Sequence, residues 1–232
     1  MSAAHILDVV QGTPEWEQAR CGFVTASRCS DVIAMKQRGK GEKAERADYR
    51  AEIVSERLTH QPYPQHISRV RAVEWGNAQE GFAADAYEIE RGVLVDTVGF
   101  VLHPSIAWFG CSPDRFVGDV GMLQIKCPDT RTHLEWLQRG TIPVEHAPQL
   151  LSELACNPER EWVDFMSFDP RLPRHLQTFI RRYERNDKLV AMVEAEVRHF
   201  NSEVEEVLAA LPQKPQGAVL LMDQPYVDEL EF

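Results

Sequence analysis

The sequence contains no C-x-x-C pair, and its five cysteines (Cys21, Cys29, Cys111, Cys127 and Cys156) are scattered and odd in number. That excludes a zinc ribbon and a disulfide scaffold. Cys29, Cys111 and Cys156 have apolar or helical neighbours and read as small core residues. No apolar run reaches the roughly 18 residues of a membrane span. The N-terminus, MSAAHILDVVQGTPEW, has no basic stretch and acquires acid and proline too early for a signal peptide. The default location is therefore the cytoplasm. Repeats, low-complexity tracts and an interdomain linker are also missing, so residues 1–232 read as one domain. At 44% hydrophobic and 26% charged, the composition excludes disorder.

Positive charge is in short supply as well. The formal net charge is −11, the wrong sign for a protein that adsorbs to nucleic acid. Net charge is a poor guide to local charge, however. Lys36–Arg46 (KQRGKGEKAER) carries five basic residues against two acidic, with Arg20, Arg28, Arg69 and Arg71 nearby in sequence. Acid gathers at Glu184–Glu206 and in the tail Asp223–Phe232. A basic groove inside an acidic exterior would weaken indiscriminate adsorption to DNA and keep binding at one place.

What is present starts with Ser112-Pro113-Asp114, followed ten residues later by Gln124-Ile125-Lys126 and then Cys127-Pro128. Apolar residues flank both pieces, as expected of buried strands. Side chains two apart on a strand share a face, so Gln124 and Lys126 point together and Ile125 points away. With Asp114 alongside, they form a cluster of oxygen ligands and one ammonium. Mg²⁺ takes such oxygens and completes its shell with water and phosphate. The lysine can orient the attacking water and stabilise developing negative charge. The chemistry implied is phosphoryl hydrolysis. By pattern alone the triplet is weak, since a solvated hairpin face carries the same residues. A second element strengthens it. In Ser68–Arg91 the apolar residues Val70, Val73, Phe82, Ala86 and Ile89 recur at helical spacing. Glu80 borders that stripe, where a carboxylate can reach a metal or simply remain solvated. Trp75-Gly76 reads as a close backbone approach or a local break.

Along the chain, Thr13-Pro14 opens a helix through Arg20. A capped helix runs from Thr25-Ala26-Ser27 through Ile33, and Glu42–Leu58 and Ser68–Arg91 are helical. From Gly92 the period changes to strands at Val93–Val95, Val98–Leu102, Ala107–Cys111, Phe116-Val117 and Met122–Ile125. Helices return at Thr132–Gln138 and Val144–Cys156. Strands follow at Trp162–Phe168 and His175–Arg181, then one helix over Glu184–Leu211. This is a mixed α/β domain with a central sheet bearing the polar cluster. His133 and His146 read as surface helical histidines, and Trp16 and Trp75 as packing residues.

In order stand QGTPEWEQARCGFVTAS (Gln11–Ser27), EWGNAQE (Glu74–Glu80), CSPDRFVGD (Cys111–Asp119), LQIKCP (Leu123–Pro128), A-x-Q at Ala147–Gln149 and FDPR (Phe168–Arg171). Through most of its length the chain thus resembles the lambda exonuclease-like, YqaJ-type viral recombinase nucleases of the PD-(D/E)xK superfamily. The resemblance implies a restriction-endonuclease-like core with a mixed sheet flanked by helices. It implies a Mg²⁺-dependent, processive 5′→3′ exonuclease on double-stranded DNA ends, with two ions and Mn²⁺ able to substitute. Such an enzyme releases mononucleotides and leaves a 3′ single strand. A ring-shaped homotrimer, a single-strand annealing partner, no membrane, and a phage or prophage origin within a bacterial cytoplasm are implied too. By position, Asp114, Gln124 and the Ile125 carbonyl match metal ligands, and Glu80 matches the carboxylate serving the second ion. Lys126 matches the catalytic lysine and Gln149 an active-site glutamine. Arg20, Ser27 and Ser112 match a pocket for the 5′ phosphate. Val73 matches a wedge at the terminal base pair, and Arg38 a loop arginine reaching the DNA grooves.

One departure stands out: the family pattern has Glu where this chain has Gln124. The amide oxygen can still ligate Mg²⁺, but the site loses a negative charge. An endonuclease on the same core, or a DNA-end clamp weakened in catalysis, are the alternative readings.

Overall fold

A computed structural model describes residues 5–34, 41–64 and 67–212. Arg38 and the acidic tail lie outside the described residues, as does the side chain of Val73.

Two sheets and seven α-helices build the described part. The first sheet has strand order β1–β4–β5–β2, from β1 (His5–Leu7), β2 (Val24–Thr25), β4 (Phe100–Leu102) and β5 (Phe109–Cys111). The second has order β3–β6–β7–β8–β9, from β3 (Val95–Asp96), β6 (Arg115–Val117), β7 (Gly121–Lys126), β8 (Trp162–Phe168) and β9 (Thr178–Glu184). β6 and β7 form an antiparallel hairpin, whereas β7 and β8 are parallel over six residue pairs. Parallel neighbours need a crossover. Here it carries α5 (Thr130–Arg139) and α6 (Ala147–Cys156). The remaining helices are α1 (Pro14–Arg20), α2 (Cys29–Val32), α3 (Ala44–Thr59), α4 (Ile67–Arg91) and α7 (Asp187–Ala210).

Alternation along the strands sorts the five-stranded sheet into two faces. Met122, Val163 and Phe165 join the larger core with Leu150, Leu154 of α6 and Val193, Val197 of α7. Leu123, Ile125 and Met166 face the other way, onto Ala83, Ala84 and Tyr87 of α4. A buried polar knot fastens α4 to that face. Tyr87 Oη donates to Asp164 Oδ2 at 2.8 Å, and Arg182 bonds both carboxylate oxygens at 2.9 and 3.0 Å.

Local sequence sets the helix ends. Asp129 caps α5 by accepting from the Thr132 backbone N–H at 2.9 Å. Gly140, with φ of 68°, closes it in the left-handed conformation that favours glycine. α7 starts at the Asn186 cap, three residues later than the periodicity predicts, because β9 stays paired to β8 through Glu184. β9 itself begins only at Thr178, since Arg174–Leu176 form a 3₁₀ turn after Pro173. α4 runs without interruption through Trp75-Gly76, and a Cβ on Gly76 would meet nothing within 4 Å. The glycine therefore marks neither a break nor a close approach. Cys29, Cys111 and Cys156 are fully buried, as their apolar neighbours predict.

Candidate active site

Asp114 lies just before β6, and its buried carboxyl faces the middle of β7. Its Oδ2 accepts from the Ile125 backbone N–H at 2.5 Å and from Gln124 Nε2 at 2.6 Å. Gln11 holds the preceding turn by donating its amide to the carbonyls of Pro113 (2.8 Å) and Val98 (2.9 Å). Burial pushes the Asp114 carboxyl up to about 7, with Lys126 opposing and Glu80 adding to the rise. A carboxylate held neutral this readily is one that a bound cation would ionise.

Gln124 and Lys126 share the face of β7 that looks toward α6. Lys126 Nζ donates to Gln149 Oε1 at 3.2 Å, and Gln149 Nε2 donates to Glu153 Oε1 at 2.9 Å. Glu153 is fully buried, and burial pushes its carboxyl up to about 8, with the Asp114 charge contributing. Its other oxygen, Oε2, has no hydrogen-bond partner among the described residues, and neither does Gln124 Oε1.

Arg115 sits opposite Leu123, on the α4 side of the hairpin. There it reaches Glu80 Oε1 at 2.6 Å and also donates to the Asp114 carbonyl at 2.5 Å. Glu80 is thus paired with a guanidinium on one flank of the cluster.

Among the described residues no group of three or more His, Cys, Asp or Glu side chains is placed to hold a metal. At position 124 the chain contributes an amide and not an acid. The donors that remain still fit a hard cation. Gln124 Oε1 is a buried oxygen without a partner among the described residues, and the same amide's Nε2 stands 2.6 Å from Asp114 Oδ2 and 3.5 Å from the Ile125 carbonyl. Oxygen donors of this kind, completed by water and phosphate, suit Mg²⁺ better than softer ions.

Around the mouth of the site, Arg20 lies with its guanidinium over the Trp16 ring at 3.9 Å. Its Nη2 donates to Ser27 Oγ at 3.5 Å, and Trp16 Nε1 donates to Ser112 Oγ at 2.9 Å. Arg20, Ser27 and Ser112 are therefore linked through Trp16. Arg20 Nε is buried without a partner among the described residues, and burial lowers the affinity of the guanidinium for its proton.

Sequence reasoning passed over Glu153, Arg115, Gln11 and the bridging role of Trp16. Glu153 had a signal: it is an acid inside the apolar run Leu150–Cys156, four residues after Gln149. The histidines differ from expectation. His133 is fully buried, bonded to Ser167 Oγ (2.7 Å) and the Leu176 carbonyl (2.8 Å). His146 packs between Trp136 and Phe165, and burial next to Lys126 takes it down to about 4. A neutral imidazole there adds no charge to the site. Trp75 does pack, under the Arg171 guanidinium at 4.8 Å.

A family model of the YqaJ-like viral recombinase domain matches residues 15–158. No curated protein matches the chain. Among solved structures, the alkaline exonuclease LHK-Exo from Laribacter hongkongensis is 41% identical, with a TM-score of 0.77 over 85% of this chain and 95% of its own. Its complex with dAMP aligns over the same shares at 42% identity and TM-score 0.77. A phage-related exonuclease from Haemophilus somnus 129PT shares the fold at 13% identity and TM-score 0.59, over 81% of this chain and 95% of its own. The helix-flanked mixed sheet, the Asp114–Gln124–Lys126 cluster and a family match over more than half its length agree: this chain belongs to the YqaJ-like viral recombinase family, with the PD-(D/E)xK fold of the lambda exonuclease-like nucleases.

Proposed function

We propose that this protein is a Mg²⁺-dependent exonuclease that degrades one strand of double-stranded DNA from its 5′ end. It would release mononucleotides processively and leave a 3′ single strand for annealing-type recombination. The observation that carries the reading is Lys126 beside Asp114 and Gln124, three groups that β6 and β7 bring to one place. Asp114, Gln124 Oε1 and the Ile125 carbonyl would hold Mg²⁺ or Mn²⁺, with Glu80 on the far flank. Bound there, the ion would polarise the phosphodiester and make a coordinated water more acidic.

The chain's own groups do the remainder. Lys126 has three N–H donors, one of them engaged by Gln149. The other two can orient the attacking water and stabilise charge developing on the phosphate. Arg20, Ser27 and Ser112 supply a guanidinium and two hydroxyls suited to a terminal phosphate dianion. Engaging that phosphate would set the polarity and hold register after each cut.

Self-association, which the family resemblance would make a ring of three, is supported by an apolar strip on and just after α4. Phe82 is 64% exposed and Ile89, two turns on, 81%, with Leu94 just beyond at 82%. Exposed apolar strips of this kind mark contact surfaces. A cytoplasmic site of action beside an annealing protein belongs to the same proposal.

The test uses a linear duplex labelled at either the 5′ or the 3′ end of one strand, alongside a covalently closed circle, with Mg²⁺. Early release of labelled mononucleotide from the 5′ label alone supports the reading. Cutting of the closed circle would favour an endonuclease, and end binding without release under any divalent ion would favour a clamp.

A further inference from the structure

We propose that Glu153 is a positioning residue for Lys126, acting through Gln149. The geometry is a chain of two hydrogen bonds, Lys126 Nζ to Gln149 Oε1 (3.2 Å) and Gln149 Nε2 to Glu153 Oε1 (2.9 Å). A glutamine side chain can present either its oxygen or its NH₂ to a neighbour. An ammonium requires the oxygen. Glu153 favours that choice, because its Oε1 accepts from the NH₂ end: ionised it can only accept, and protonated it still accepts at the oxygen that lacks the proton. With no acceptor at 153, the Gln149 amide is free to turn its NH₂ toward Lys126, and the lysine then loses its tether.

The placement argues against simple packing. α6 buries Leu150, Leu151, Leu154, Ala155 and Cys156 around this one acid. Glu153 is fully buried and leaves Oε2 without a partner among the described residues. An unsatisfied buried polar atom is destabilising, a penalty that leucine at the same position would avoid. The retained interaction is the one with Gln149.

The inference rests on the reading of Lys126 as the lysine that acts on the phosphodiester. A double-mutant cycle over Glu153→Leu and Gln149→Leu tests it, with Glu153→Gln as the conservative variant and thermal unfolding confirming that each protein folds. Nucleotide release from linear duplex is followed together with the rate at which an amine-reactive reagent labels Lys126, read by peptide mass spectrometry. Glu153→Leu should lower kcat about tenfold, the loss expected for a hydrogen bond to a charged group, with KM changed by less than about twofold. In the Gln149→Leu background the same change should do almost nothing further, the signature of two groups acting as one. Glu153→Gln, which keeps an accepting oxygen, should restore most of the rate. Labelling of Lys126 should rise equally in Glu153→Leu, Gln149→Leu and the double variant. Equal kcat losses in both backgrounds, a loss confined to KM, or unchanged Lys126 labelling in Glu153→Leu would overturn the proposal. Absence of nucleotide release by the native protein would instead sink the nuclease reading, while the labelling still decides whether Glu153 holds Lys126.

Discussion

Gln124 is the residue whose chemistry most shapes this site. It sets an uncharged amide 2.6 Å from Asp114, so under the proposed function the cluster would attract a dication less strongly than one with glutamate there. Changing Gln124→Glu is expected to tighten Mg²⁺ or Mn²⁺ binding by about tenfold or more, because a full charge at ligand distance outweighs solvent screening there. Isothermal titration calorimetry would show it, and unchanged affinity would mean that Gln124 is not a ligand. Glu153 gives a prediction of a different kind. Its folded-state value, about 8, lies above the ordinary 4.5. As pH rises, the unfolded chain releases this proton first. Between those values the folded state holds more protons than the unfolded, so stability falls with rising pH and levels off above about 8. Glu153→Gln lacks that loss. Its melting temperature relative to the native protein should therefore climb from pH 5 to pH 9, and a pH-independent difference would contradict the assignment. Asp114, Gln124 and Lys126 were legible because a strand fixes which side chains share a face. Arg115 was not. Its pairing with Glu80, 35 positions away in sequence, depends on how α4 lies across the hairpin.

Helices and strands bring these residues together through a few close backbone approaches. In β5, a Cβ on Gly110 would stand 2.4 Å from Cζ of the buried Phe100 and 2.9 Å from the Val101 carbonyl. Since β5 leads directly into Ser112-Pro113-Asp114, a side chain here would push on the strand that delivers Asp114. Gly110→Ala should cost about 1–3 kcal/mol, the range for overpacking a filled core, measured by urea unfolding. A change below about 0.5 kcal/mol, within surface-substitution range, would show that Phe100 gives way freely. The helical periods, the hairpin and most strands were readable from apolar spacing. The end of β9 was not, because the expected strand stopped at Arg181 and the expected helix began at Glu184, which pairs with Trp162 of β8 instead. Nor did the sequence distinguish one sheet from two. β4 and β5 look like the other strands, whereas β1 and β2 were not expected as strands, and only pairing separates the first sheet from the second.

Across the whole molecule, much of the positive charge is spent on structure. Arg46, buried, pairs with Glu42 and Glu203, and Arg50 joins the same two acids. Arg28 holds Asp31 and Glu52. Two arginines of the expected basic region, Arg28 and Arg46, therefore tie α3 to α2 and α7. Arg20, with a buried Nε that has no partner among the described residues, stands beside Ser27 near the site. A ring would let an acidic exterior coexist with a basic passage. Light scattering after gel filtration should give three times the 26.5 kDa chain mass, and replacing Phe82 and Ile89 together by Ser should reduce it. A monomeric native protein would remove the ring from the account. The most direct test of the central claim compares native protein with Lys126→Ala on a 5′-labelled linear duplex in Mg²⁺, following nucleotide release and end binding together. The account predicts release by the native protein alone and retained binding by both. Substantial turnover by Lys126→Ala would contradict it.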